Sequence, residues 1–129
     1  MTIREAISRL DALIFNTYTN DDKVRWLSSL DSSVKQQIID THEGGQLVVF
    51  EGYNPATPDT TVLLVPSPYD EVYLRWMEAQ IHYHNGEYDK FNAAIIMYNT
   101  AFDAYAKYYN KHHMPISKHN RFKFSGVYL

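Results

Sequence analysis

The chain has 129 residues, 15 acidic and 12 basic, for a net charge of −3, with 45% hydrophobic and 15% aromatic content. That length suits one domain with a real core, and the apolar content argues against wholesale disorder. There is no cysteine, which excludes disulfides, thiolate metal sites and cysteine nucleophiles and fits a reducing compartment. The opening MTIREAISRL places charges inside its apolar periodicity and lacks a signal-peptide core. No apolar run approaches the ~20 residues of a bilayer span, so a soluble, unsecreted chain is expected.

Thr2-Ile3-Arg4-Glu5 has the form of a capping box, a hydroxyl followed three residues later by a carboxylate. Ile3, Ala6, Ile7, Leu10, Leu13 and Ile14 follow at helical spacing and predict a first helix over residues 2–15. Turn-forming residues from Asn16 lead into a second helix over 21–42, with Asp21 and Asp22 at its positive end. Its buried stripe is Val24, Leu27, Leu30, Val34 and Ile38, with Trp26 on a flank. Asp31-Ser32-Ser33 is a candidate break, and Gly44-Gly45 a stop.

Residues 46–65 hold two runs rich in β-branched and apolar residues, Leu47–Phe50 and Thr61–Val65, around Gly52, Pro55 and Pro58. The pattern predicts a two-stranded β-ribbon with a long tip, or two extended arms. A lone hairpin is marginal in water, so it must lie on the helices or pair with another copy. Val48, Phe50, Tyr53, Val62 and Leu64 are the candidate subunit contacts of this segment.

Ser67-Pro68-Tyr69-Asp70 reads as a helix start, with a hydroxyl cap and proline at the first position. A third helix over 68–85 would bury Val72 or Tyr73, Trp76, Ala79 and Tyr83, and Asn85-Gly86 would close it. A fourth, over 87–113, carries Tyr88, Phe91, Ile95, Tyr98, Phe102, Tyr105 and Tyr109 at alternating spacings of three and four. A second stripe of Ala94, Met97, Ala101, Ala104 and Tyr108 runs beside the first. One helix with two apolar faces has more to bury than a small subunit readily covers, and Tyr105 and Tyr108 are added to the candidate interface. The fold class is therefore mainly α: a small four-helix bundle with an inserted two-stranded β-ribbon or extended loop, and a C-terminal extended tail over 115–129.

Charge is distributed unevenly. All 15 acidic residues lie at or before Asp103, whereas Lys107, Lys111, Lys118, Arg121 and Lys123 follow it. Lys118, Arg121 and Lys123 are candidate contacts to DNA or to an acidic protein surface.

No set of residues assembles a nucleophile, a base and oxyanion donors, so no enzyme is expected. Glycine loops for phosphate are absent, and no cofactor is implied. His82 and His84 are two apart and diverge on a helix; His112, His113 and His119 are the remaining metal candidates, better explained as partners of a helix end. Glu78 and His82, four apart, can pair along one helix face. Asn92 and Asn99 are placed either to fix helix register or to face solvent.

Three stretches together carry a resemblance: DDKVRWLSSLD from Asp21, LLVPSPYDEVYLRWMEAQIHYHNGEYDKFN from Leu63, and AFDAYAKYYNKHHMP from Ala101. They resemble small head–tail connector (head-completion, adaptor) proteins of tailed phages and prophages, over about residue 3 to Pro115. The chain departs from that pattern near Phe15 and Ser32, where proline and glycine are usual. The resemblance implies a helical bundle with an inserted extended loop that assembles as a ring between portal and tail. It implies contacts with itself, with portal and tail-side proteins and, through the basic tail, with DNA, and a place in the virion after assembly in the bacterial cytoplasm. The other readings are a non-catalytic adaptor or regulatory module that binds a partner helix or DNA, and a small enzyme using the tail histidines.

Overall fold

A computed structural model describes residues 1–116. Four α-helices make up the body: α1 (Ile3–Leu13), α2 (Asn20–Gln37), α3 (Glu71–His84) and α4 (Tyr88–His112). The capping box at the start of α1 is present in full. Glu5 N–H donates to Thr2 Oγ1 at 3.2 Å, and Thr2 N–H donates to Glu5 Oε1 at 2.9 Å. Thr19 caps α2 through Asp22 N–H, and Asp21 and Asp22 occupy its first turn.

Helix α3 is the hub. Its consecutive residues Val72, Tyr73 and Leu74 are all buried, which needs neighbours around more than one side of the helix. Those neighbours are α1, α2 and α4. Helices α2 and α3 run antiparallel. Trp76 Nε1 donates to the Trp26 carbonyl at 2.9 Å, while Asp31, further along α2, meets Tyr73, earlier on α3. Helix α4 folds back on α3, also antiparallel, through ring contacts Tyr83–Phe91, Trp76–Tyr98 and Tyr69–Tyr105. The core is formed by Ile3, Ala6, Ile7 and Leu10 of α1, Val24, Leu27, Leu30 and Val34 of α2, and the inner face of α3.

Several expectations need correction. The segment over 46–65 is not a β-ribbon. Among the described residues there is no strand, only isolated bridges Thr2–Val62 and His42–Pro115. Gly45–Leu47 is a turn of 3-10 helix, and the chain then crosses the bundle as an irregular strap. Its backbone groups are satisfied by the body instead of by a second strand. Ile3 N–H and Arg4 N–H, otherwise unpaired at the start of α1, donate to the carbonyls of Thr61 (3.0 Å) and Asp59 (2.9 Å). The Arg4 guanidinium grips the Asp59 carboxylate with two nitrogens, and Leu63 N–H donates to the Met1 carbonyl. Leu63 and Val65 are buried, so the apolar run that looked like a strand is anchoring the strap.

Helix α2 does not break at Asp31. It continues to Gln37 and is followed by a short 3-10 turn over Ile39–Thr41. Gly45 sits so close to that turn that a Cβ there would lie 2.3 Å from the Ile39 carbonyl oxygen. Helix α3 begins at Glu71 instead of Pro68: the Ser67–Pro68 peptide is cis, and the chain turns at Tyr69–Asp70 before the helix starts. Of the expected tail, only its first residues are described. Glu43 N–H donates to the Met114 carbonyl, and Ile116 N–H to the Thr41 carbonyl, both at 2.8 Å, which ties the end of the described chain to the foot of α2.

Candidate assembly surfaces

The polar centre of the molecule is Asp31. Its side chain is fully buried and, among the described residues, has no cation beside it. Instead its oxygens accept three hydrogen bonds: from Tyr73 Oη at 2.6 Å, Tyr53 Oη at 2.5 Å and Leu64 N–H at 3.1 Å. Tyr73 Oη in turn accepts from Val65 N–H at 2.7 Å. Burial pushes the Asp31 carboxyl above its ordinary value, against the lowering effect of these three donors. The two tyrosyl hydroxyls are also pushed up, by burial first and then by the neighbouring carboxylate. Both ends of the strap are thus tied to one carboxylate, and Gly52, at φ +89°, supplies the left-handed turn that brings Tyr53 inward.

This arrangement decides where the candidate interface residues lie. Tyr53 and Leu64 are half-buried and point their polar groups at Asp31. Val48 packs on the core, and Phe50 is half-buried with its ring edge-to-face against Tyr53. Val62 is exposed. Tyr105 is buried, with its hydroxyl pushed up to about 12 by burial, and half-buried Tyr108 lies between Tyr69 and His112. Lys118, Arg121, Lys123 and His119 lie outside the described residues. Asn92 and Asn99 face solvent.

The two apolar stripes of α4 meet different fates. Toward α3, Ala94, Tyr105 and Tyr109 are buried, and Tyr98, Ala101 and Phe102 are partly covered. Tyr88, Met97 and Ala104 stay exposed, and so does Ile96 on the outer side, at 64%. The surplus of apolar surface on this helix is present, mostly toward its N-terminal half.

Two further groups of exposed apolar side chains lie at the ends of the bundle, and Leu13, Tyr83 and Tyr88, which periodicity places on buried stripes, are among them. At the end where the α1–α2 and α3–α4 turns meet, Phe15 is 92% exposed and Leu13, Tyr83 and Tyr88 are exposed with it. These turns are held together by Tyr18, whose Oη donates to Asn85 Oδ1 at 2.6 Å and whose ring contacts Trp26 and His84. At the opposite end Leu47 and Val49, each 79% exposed, follow the foot of α2, and Met114 and Ile116 are exposed on the chain paired to it. Phe15 and Leu47 flank turns, where no periodic pattern can signal exposure.

The histidines are engaged one by one. His42 is buried, with Nε2 and Asn110 Oδ1 2.5 Å apart and its ring against Tyr109. His113 stacks on the face of Tyr109 and meets the His42 ring edge-on, and His84 stacks on Trp26. His82 lies 4.0 Å from Glu78 but only 3.0 Å from Glu87, its nearer partner. The Glu87 carboxylate is held down to about 2 by hydrogen bonds from His82, Asn85 and Lys90. A groove of about 240 Å³ between α3 and α4 is lined by Arg75, Glu78, His82, Lys90 and Met97. Its charges are already paired within the chain, Arg75 with Glu78 and Lys90 with Glu87, which leaves little to attract a charged ligand. Among the described residues no three His, Asp or Glu side chains group as metal ligands, and no helix is long and apolar enough to cross a membrane.

In comparisons with known proteins, no family model, no curated protein and no solved structure matches this chain.

Proposed function

We propose that this chain is a non-catalytic structural protein of a tailed phage or prophage particle, a connector that assembles as a ring between portal and tail. The observation that carries the reading is the pair of unlike apolar patches at opposite ends of the molecule: Leu13, Phe15, Tyr83 and Tyr88 at one, Leu47, Val49, Met114 and Ile116 at the other. They are separated by roughly the length of α4, about 37 Å at 1.5 Å per residue. A ring of identical copies needs heterologous contacts, in which one surface meets a different surface on the next copy. Large apolar side chains left exposed in groups are suited to association. The likeness of VPSPYDEVY, HNGEYDKFN and the YYN-HMP end to connector proteins adds the particle and the partners: portal on one side, tail proteins on the other. The strap, closed on its own bundle, stiffens the subunit, and the ring contacts fall to the end patches. Lys118, Arg121 and Lys123 serve the portal or, without sequence preference, DNA. On this reading the chain is made in the bacterial cytoplasm and resides in the virion.

The test is to mix the full chain with the portal protein of the same genome and examine the product by electron microscopy and sedimentation. Ring-shaped species on the portal are expected, lost in Phe15→Ser and in Leu47→Ser while helical content is kept. A salt-sensitive complex of a monomer or dimer with DNA, and none with portal, would reject the connector in favour of a DNA-binding adaptor.

A further inference from the structure

At the foot of α2 the described chain ends on a fixed heading. Met114 and Ile116 pair with Glu43 and Thr41 in antiparallel sense, and His42, held by Asn110 and Tyr109, stands opposite Pro115 between them. That sense aims the backbone at Ile116 toward Asp40. Asp40 lines a groove of about 360 Å³ together with Ser32, Lys35, Gln36, Phe50 and Glu51. Leu47 and Val49, each 79% exposed, lie on and just after the turn whose Gly45 carbonyl accepts from the Lys35 ammonium, so the groove and this apolar patch adjoin. Lys35 is already held by Asp40. Glu43 and Glu51 are exposed and enter no ion pair among the described residues, and Lys107 and Lys111 of α4 pair with neither.

We infer that residues 117–129 lie back along this groove and over Leu47 and Val49 of their own chain. The segment complements the surface in charge. It holds Lys118, Arg121 and Lys123 and no acid, whereas all 15 acidic residues belong to the described body. It complements the surface in pattern as well. Phe122 and Phe124 alternate with Arg121 and Lys123, so an extended run would present two rings on one side and two cations on the other. The rings suit Leu47, Val49 and half-buried Phe50; the cations suit Glu43 and Glu51. Val127, Tyr128 and Leu129 add further apolar area. Extended, the segment spans up to roughly 40 Å, comparable to the whole length of α4, so distances within one end of the molecule do not limit it. Its root at Ile116 tethers it beside the groove. That gives it an effective concentration of about millimolar, which a second copy or a DNA in dilute solution does not match. On the ring reading, a neighbouring copy takes the segment's place at Leu47 and frees its cations for the portal; the covering itself does not rest on that reading.

The absence of cysteine makes a direct test available, since Gly126→Cys gives one attachment point for a nitroxide on the full chain. In dilute solution the methyl signals of Leu47 and Val49 should be broadened, and those of Leu13 at the far end should not. Phe122→Ser combined with Phe124→Ser should abolish the broadening, and high salt or Glu51→Lys should reduce it severalfold. A mixture of isotope-labelled copies lacking the nitroxide with unlabelled copies carrying it should show no broadening. Signals unaffected at Leu47 and Val49, or affected equally at both ends, would overturn the inference. Broadening that appears in the mixture would overturn it too, by showing that the segment reaches a second copy. Portal protein plays no part in the readout, so the result stands whether or not a ring forms.

Discussion

Helices α2 and α4 both pack on α3, but they are built on different terms. Of the 18 residues of α2, six are buried, and two of those, Lys23 and Asp31, are charged groups with dedicated partners. Of the 25 residues of α4, three are buried, and its outer face meets solvent along its whole length. The first helix is a structural member whose open side, at Asp21, Arg25, Ser29 and Gln36, is wholly polar. The second is held along one side by aromatic contacts and presents the other. A buried stripe and a stripe awaiting a partner have the same periodicity, and only the covering element tells them apart.

The contrast should be plainest in stability. Leu30→Ala, at a fully buried position of α2, should cost about 3 kcal/mol and lower the melting temperature by on the order of 10 °C. Ile96→Ala on α4 should stay within about 0.5 kcal/mol in the same melt. Asp31→Ala leaves two hydroxyls and an amide without their acceptor and should cost about 3 kcal/mol, with hydrogen exchange at Leu64 accelerated before that of the α2 core. Tyr53→Phe, which removes one donor, should cost about 1 kcal/mol.

Two carboxylates should respond to pH with opposite signs. Asp31 is raised in the folded state, so its contribution is complete below the ordinary carboxylate range and is lost as pH rises through its folded value. Asp31→Asn removes that dependence, and the difference in melting temperature, mutant minus parent, should grow as pH rises from the ordinary carboxylate range. Glu87 is lowered to about 2, so its contribution is present above its ordinary value of 4.5 and fades as pH falls toward 2. Glu87→Gln should therefore narrow the gap from the parent as pH falls. Glu87 is solvated, and this is the smallest effect of the set.

What was legible in the sequence is what depends on near neighbours. The Thr2–Glu5 box and the stripes of α1 and α2 each rest on spacings of three and four. Every named stripe residue but Leu13 and Ile14 is buried, although α2 ends at Gln37, short of the expected 42. The strap defeats a local reading because Leu47–Phe50 and Thr61–Val65 have a strand's composition, and what overrides it comes from far along the chain. Asp31 lies 22 residues from Tyr53 and 42 from Tyr73, and no local pattern marks it as their acceptor. Within a helix it looked like a break. The start of α3 was placed too early because Pro68 belongs to the turn before the helix. On α3 periodicity points to Val72 or Tyr73, Trp76, Ala79 and Tyr83. Val72 and Tyr73 are both buried with Ala79, but Trp76 is only partly covered and Tyr83 is exposed. Leu74, Met77 and Ile81 are buried as well, since a helix enclosed on several sides has no single stripe. The surplus on α4 follows from its two stripes, yet which of its residues remain open depends on what α3 covers: Tyr88 near the hairpin turn and Met97 further on are left exposed.

Gly45 has a consequence beyond its own turn. With the Ile39 carbonyl 2.3 Å from where a methyl would go, the chain can leave α2 in this direction only if that residue has no side chain. The angle at which residues 48–65 set out toward Asp31, and with it the outward tilt of Leu47 and Val49, is therefore governed by one missing carbon. An alanine there would force the turn that carries Leu47 and Val49 away from Ile39, while Tyr53 and Leu64 hold the rest of the segment on Asp31. It so offers a way to re-aim one end of the protein without touching any residue that end displays.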